Sequence, residues 1–379
     1  MCLLSVSLGA LIWVYVVYPL VVGFFAWLRP VSSPSALTAL PGVSVIIAAH
    51  NEEMVIGQKL DNTFAFDYPA DRLEILVVSD GSTDATERIL QEYSARGVRV
   101  IILDRRLGKT EAQNRAAAVG RHPILFFTDA TTKHSPDVVR RIVQRFHDAD
   151  VGCVSGRAVF REDASLTSAG LHLKQRYDMW VRGVQAKVDT LFGATGCVYA
   201  VRRDLYVPLR ADLVSDFVEP LKILAAGYRT VYEPAAIGLV DRRPPDARLE
   251  FARRSRMVLQ GFRGIIHVRE LLDPRRHPFR AVALATQRPL KWLTPLYALG
   301  ALAASIALAH YPVVRVFLVA QIVFYGAALA SWVLERRGFS APRPLAVCLY
   351  FCVVNLAALA GLRRLLRGDT AQTWETTGR

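Results

Sequence analysis

The chain has 379 residues, a formal net charge of +14, 52% hydrophobic residues and a mean hydropathy of +0.25. That combination excludes a single ordinary soluble domain and fits a membrane protein with a soluble portion. The arginines are dispersed and accompany no nucleic-acid motif, so the basic excess points to membrane lipids and an anionic substrate as partners, with no nucleic acid.

The first predicted element is an uncharged apolar run from Cys2 to Leu28, long enough to span a bilayer and followed by Arg29-Pro30. It has neither a basic leader nor a small-residue cleavage site, so residues 1–30 are expected to be a retained transmembrane anchor. Ser33 to Pro41 is rich in serine and proline, and residues 31–42 read as a linker.

From Val43 short β-branched runs alternate with longer amphipathic ones. Strands are predicted at Val43–Ala48, Leu73–Ser79, Val98–Leu103 and Ile124–Thr128, with helices near Glu52–Phe66, Asp84–Arg96, Lys109–Val119 and Pro136–Asp148. Such alternation means βαβ units and a mostly parallel sheet. A strand at Val151–Val159, a long helical run through Lys187, and the segments "GATGCVYAVRR" and "LVSDFVEPLKILAAGYRTVYEP" follow. Residues 43–245 are read as one α/β domain, 246–292 as interfacial amphipathic helices, 293–362 as transmembrane segments and 363–379 as a basic tail.

Three apolar stretches, Leu293–His310, Val313–Leu334 and Leu345–Leu362, are each long enough to span. The positive-inside rule puts Arg29 to Lys291 in the cytoplasm, in a multi-pass protein of the plasma or inner membrane. Simple crossings then place Arg363, Arg364 and Arg367 outside, against the same rule, so one C-terminal stretch is expected to lie at the interface or re-enter. Cys2, Cys153, Cys197, Cys348 and Cys352 show no zinc spacing and no paired framework.

The ends of the predicted strands carry the chemistry. The first ends in "AAHNEE", the second in Asp80 of "SDGSTDAT", the third leads through "RRLGK" to Lys109, and the fourth ends in "TDATT". Ligands of open α/β sheets bind at these carboxyl ends. The Gly-Lys-Thr at 108–110 is no P-loop, because Leu103 stands where the leading glycine belongs, and no G-x-G-x-x-G follows the first strand.

The ordered series "VSVIIAAHNEE", "ILVVSDGSTDAT", "GKTEAQNRA", "FFTDATTKHSPD", "GATGCVYAVRR" and "VSDFVEPLKILAAGYRTVYEP" resembles the family 2 glycosyltransferases of GT-A fold. With apolar segments at both ends, the chain is similar to the membrane branch containing cellulose, chitin, hyaluronan and poly-N-acetylglucosamine synthases. The resemblance implies an inverting transfer from a nucleotide-sugar donor, most often a UDP-sugar, to a glycan or lipid-linked acceptor, with Mg2+ or Mn2+ as cofactor. It implies donor contacts at Ala48, Glu52, Asp80, Lys109 and Asp129, and a metal at Asp129 and Thr131 of Asp-Ala-Thr, which departs from the family's Asp-x-Asp. Asp216 matches the catalytic base, although Ser215 replaces the family's preceding acid and Ser215-Asp216 also reads as a helix cap. Gly193, Thr195, Gly196 and Arg253 fall on the acceptor or diphosphate side. Arg256 matches the arginine of the synthases' Gln-x-x-Arg-Trp, whose glutamine and tryptophan are absent from "RRSRM". Their loss counts against a polymerising sugar platform. Polysaccharide extension, single-sugar transfer to a lipid carrier such as polyprenyl phosphate, and a non-catalytic nucleotide-sugar-binding scaffold all remain open at this point.

Overall fold

A computed structural model describes residues 1–29, 39–160, 168–240 and 247–369. The greater part of the serine- and proline-rich linker, the join at 241–246 and the tail from 370 lie outside the described residues. The strands are β1 (Val43–Ala49), β2 (Leu73–Asp80), β3 (Arg99–Leu103), β4 (Ile124–Asp129), β5 (Thr132–His134), β6 (Val151–Phe160), β7 (Tyr199–Arg202) and β8 (Arg229–Val240). They form one sheet in the order β3-β2-β1-β4-β7-β6-β8-β5. The pairs β3/β2, β2/β1, β1/β4 and β6/β8 are parallel, whereas β7 runs antiparallel to both neighbours and β5 antiparallel to β8.

Burial explains the continuous apolar runs. Every residue of β1 is buried, with Val43, Val45, Ile47 and Ala49 in one core and Ile46 and Ala48 in the other. A strand covered on both faces has no polar side to alternate with. The helices over the sheet begin later than predicted at the first crossing: Ile56–Phe64 replaces Glu52–Phe66, because Asn51 takes a positive φ of 53° and the following residues turn. Lys109–Val119 matches its predicted bounds.

A second core fastens the apolar helices to this domain. It joins Tyr18, Val22 and Ala26 of the N-terminal helix to Phe217, Val218 and Leu221 of helix Ser215–Ala225, Ile265 of helix Ala247–His267, and Ala283 and Leu284 of helix Pro278–Ala285. Among the described residues three helices are long and apolar enough to cross a membrane: Cys2–Leu28, Pro312–Arg336 and Arg343–Leu366. The stretch Leu293–His310, expected as a straight span, is a shorter helix, Thr294–Ala307, bent by 69° from Pro278–Leu290, and the pair together is apolar enough for a fourth. A π turn containing Pro289, and Pro295 at the start of the next helix, make the break.

Candidate active site

The first two strand ends are laced together by short polar groups. The backbone N–H of Asn51 donates to Ser82 Oγ at 3.2 Å, that of Glu52 to Thr86 Oγ1 at 2.8 Å, and that of Thr83 to Asn51 Oδ1 at 2.8 Å. Asp84 caps its helix by accepting from Thr86 N–H at 3.0 Å, and its other oxygen accepts from Glu53 N–H at 3.2 Å. Ala48 pairs with Val78 on one side and Asp129 on the other, between the second and fourth strand ends.

Asp80 also has a structural task that its sequence context does not show. Its carboxylate is buried and accepts from the backbone N–H groups of Leu107 at 2.6 Å and Gly108 at 2.9 Å. Gly81, at φ +63°, permits the approach, since a Cβ there would lie 2.6 Å from the backbone of Arg105 and Arg106. Both oxygens therefore hold the loop that delivers Lys109. Lys109 Nζ forms an ion pair with Asp129 Oδ1 and lies 3.4 Å from the carbonyl of Gly196. Burial works against its charge, but Asp129 and Asp216 outweigh that and hold its pKa above the usual lysine value.

The turn Gly193-Ala194-Thr195-Gly196 brings Asp216 to the same place. Pro220 has no N–H to bond the carbonyl four residues back in its helix, and that carbonyl, Asp216 O, accepts from Ala194 N–H at 2.7 Å instead. The turn is closed on its other side by Ser155 and Gly156: Thr195 N–H donates to Ser155 Oγ at 2.9 Å, and Thr195 Oγ1 donates to the carbonyl of Gly156 at 2.8 Å. A Cβ on Gly196 would fall on Asp216 Oδ2, so only glycine leaves room for the carboxylate. Ser215 and Asp216 do not cap the helix; Ser215 Oγ donates to Gln113 Oε1 at 2.5 Å. Enclosure raises the pKa of Asp216, opposed by Lys109, reinforced by Asp129, and opposed again by Arg288 and Arg182.

Arg182 and Arg288 are residues the sequence reading missed. Arg182 Nη2 donates to Ser155 Oγ at 2.9 Å and to the carbonyl of Gly193 at 3.2 Å, and Arg288 Nη2 donates to the carbonyl of Phe192 at 2.8 Å. They, rather than Arg256, are the guanidiniums whose charge bears most on Asp216. Arg253 turns to Glu250 of its own helix at 3.6 Å. A glutamine and a tryptophan do reach this region, from "TQRPLKW" on the bent helix pair. Gln287 Nε2 donates to Gln185 Oε1 at 2.6 Å and to Tyr18 Oη at 2.9 Å, while Trp292 packs 6.1 Å from Phe217.

Comparison with known proteins identifies the domain. Residues 44–207 match the family model for Glycosyl transferase family 2. Over those residues the chain is similar to the family 2 glycosyltransferases. It is 30% identical over 210 residues to the Probable glycosyltransferase YdaM of Bacillus subtilis (strain 168), covering 52% of this chain and 50% of that protein. Against the Beta-monoglucosyldiacylglycerol synthase of Nostoc sp. (strain PCC 7120 / SAG 25.82 / UTEX 2576) identity is 29% over 170 residues, 44% of this chain and 36% of that one. Against the Poly-beta-1,6-N-acetyl-D-glucosamine synthase of Staphylococcus aureus (strain COL) it is 26% over 208 residues, 52% and 49% respectively. The chain thus spans half or less of the length of these curated relatives. The fold is GT-A: the mannosyltransferase PcManGT from Pyrobaculum calidifontis, solved with GDP-Man and Mn2+, superposes with a TM-score of 0.73 at 23% identity, over 97% of this chain and 98% of that one. The apolar helices suit association with a membrane by their length and composition.

Other polar residues of the transferase domain are structural. Asn114 joins its helix to the Tyr206–Leu209 segment, donating to Leu209 O at 2.7 Å and accepting from Tyr206 Oη at 2.8 Å. Arg202 donates to the carbonyls of Val151, Phe146 and Asp148. His134 is buried: its Nε2 lies 2.7 Å from Thr128 Oγ1, and burial holds its pKa well below the usual value. Beneath the Asp129 turn Lys59 is 1% exposed and donates to Thr128 Oγ1 at 2.8 Å and to Thr132 O at 2.7 Å. Burial brings its pKa down to about 7 although Asp129 pulls the other way.

Proposed function

We propose that the protein is an inverting glycosyltransferase that moves a sugar from a nucleotide-sugar, a UDP-sugar first among candidates, to a hydroxyl of a glycan or lipid-linked acceptor at the membrane surface. The observation that carries this reading is the meeting of Lys109, Asp129 and Asp216 at one glycine turn. Asp216 is the base. It takes the acceptor hydroxyl's proton as that oxygen bonds to the anomeric carbon, while the bond to the diphosphate breaks and its electron pair leaves with the diphosphate. Single displacement from the opposite face inverts the centre. Burial keeps Asp216 basic enough to accept a proton, and the adjacent cations keep it ionised.

Among the described residues no three His, Cys, Asp or Glu gather as a metal cage. Asp129, partly exposed at the end of β4, with Thr131 two residues on, suits a hard cation that shares its shell with diphosphate and water. Asp129 and Thr131 would hold Mg2+ or Mn2+ there, which would supply positive charge against the departing diphosphate. Lys109 adds a mobile point charge on the same side. Ala48 and Glu52, at the end of β1 beside Asp129, are assigned to the nucleoside side of the donor, and Asp80 supports it indirectly by holding the Lys109 loop. The first test is saturable binding of UDP-, GDP- and dTDP-sugars to purified protein with Mg2+ or Mn2+. The reading fails if none binds.

Packing between two helices supports a membrane arrangement. Helix Arg343–Leu366 is apolar enough to span, yet it lies along the charged helix Ala247–His267: Tyr350 Oη accepts from Arg254 at 3.0 Å, Asp369 O accepts from Arg263 at 2.5 Å, and a Cβ on Gly361 would sit 2.6 Å from Ser255 O. A true crossing would carry those arginines into hydrocarbon. Laid along the cytoplasmic surface instead, with the bent pair and Pro312–Arg336 crossing out and back, it leaves Arg336, Arg337, Arg343 and Arg363 all inside, as the positive-inside rule requires. Single cysteines at Arg337 and Arg367 test this. Both are labelled only from the cytoplasmic side; labelling of Arg367→Cys from outside overturns it.

A further inference from the structure

Two guanidiniums stand at the proposed acceptor side with no salt-bridged carboxylate among the described residues. Arg182 and Arg288 touch successive carbonyls, Gly193 O and Phe192 O, and each influences the other's charge. The Nε atoms of both, and Gln185 Nε2 beside them, are buried without a protein acceptor. Both side chains are nevertheless partly reached by solvent, as groups lining a cleft are. Asp178, the nearest additional acid bearing on them, is paired with Lys291 at 3.1 Å.

Donor chemistry does not account for them. Lys109 and Asp129 sit at the Gly196 end of the turn, and the arginines sit at the Phe192–Gly193 end, with Asp216 between. Three residues of chain separate the two ends by at most about 10 Å. A donor diphosphate and a divalent cation largely offset one another's charge, so Arg182 and Arg288 keep their excess. Arg288 also belongs to the segment tied to the N-terminal apolar helix, where Trp13 Nε1 donates to Thr286 Oγ1 at 3.0 Å and Gln287 Nε2 donates to Tyr18 Oη at 2.9 Å. That places it at the level where an apolar helix leaves the domain, within reach of a lipid headgroup.

Building on the transferase reading, we infer that the acceptor carries a phosphate group within about 10 Å of the hydroxyl it offers, and that Arg182 and Arg288 hold that phosphate while Asp216 takes the hydroxyl's proton. The phosphate belongs either to a lipid headgroup or to a water-soluble phosphorylated glycan. A guanidinium pair suits either, because its forked donors match phosphate oxygens.

The test uses membranes containing the full chain and a radiolabelled donor chosen by the binding panel. Products are partitioned between organic and aqueous phases, and each phase is passed over an anion exchanger. Label retained from the organic phase supports a lipid phosphate, and label retained as a small aqueous product supports a soluble one. Label in a neutral glycolipid or an uncharged polymer overturns the inference. In purified Arg182→Gln and Arg288→Gln, transfer falls about tenfold or more through the acceptor KM, with donor affinity unchanged and partial recovery in Arg288→Lys. An equal fall in donor affinity returns the arginines to the donor diphosphate and overturns the assignment. A wild type that binds no nucleotide-sugar fails the transferase reading itself, a result separate from the others.

Discussion

The two walls of the cleft are built differently. On the proposed donor side, β1 and β2 end in turns stitched by backbone N–H groups and short side chains, Asn51, Ser82, Thr83, Asp84 and Thr86 among them. On the proposed acceptor side, Arg182 and Arg288 from distant helices reach the successive carbonyls of Gly193 and Phe192, and Gln287 bonds Gln185. A wall of short side chains on strand ends has few rotamers to lose and stays fixed. A wall of arginines and glutamines can adjust to a bulkier partner, at an entropic cost on ordering. The donor wall thus suits a nucleotide common to many enzymes, and the acceptor wall is where specificity can diverge.

The largest expected effect falls where the walls meet. Asp216→Asn keeps the shape but cannot take a proton, and turnover drops by about 10² to 10⁴ with donor binding retained. Gly196→Ala comes next. Its methyl group displaces the Asp216 carboxylate, costing about 10² in kcat with little change in donor affinity. A donor-wall change behaves in the opposite way: Lys109→Met weakens donor binding about tenfold or more in calorimetry, because Asp129 and the diphosphate lose their counter-charge. If Gly196→Ala weakened the donor and Lys109→Met weakened only the acceptor, the division into walls would be wrong.

Two smaller effects depend on pH. The raised pKa of Asp216 places the acid limb of kcat/KM above the ordinary carboxylate range of about 4, and activity rises as pH climbs through it. Lys59 has a folded pKa of about 7, below its unfolded value of roughly 10.4. Between those values the unfolded chain binds more protons, so this lysine makes the fold more stable as pH rises from 7 towards 10. Lys59→Met should flatten that slope in melting curves; an unchanged slope would show that Lys59 is not the group responsible.

The donor wall was readable in the sequence because its signals are local. Continuous apolar strands, each followed by small polar turn formers, announce parallel strands and the residues at and after their ends, Asp129 and Lys109 among them, whereas Asp216 opens a helix and was singled out only through the family resemblance. Arg182 and Arg288 were not readable: they lie 106 positions apart and meet only because two helices pack over Gly193. Asp80 was located but its hold on the loop was not foreseen, since nothing in "SDGSTDAT" shows that Leu107 and Gly108 fold back onto it. Pro220 was a signal available and unused: four residues after Asp216, it frees the carbonyl that docks the turn. The Leu293–His310 stretch met a length criterion, but Pro289 and Pro295 bend and shorten the helix.

The most direct test of the central claim is release of nucleoside diphosphate from UDP-, GDP- and dTDP-sugars by membranes carrying the wild type or Asp216→Asn, with donor binding measured on the same proteins. The account predicts that one donor turns over with the wild type, and that the variant binds this donor equally well but leaves it intact. Turnover by Asp216→Asn at the wild-type rate would contradict it.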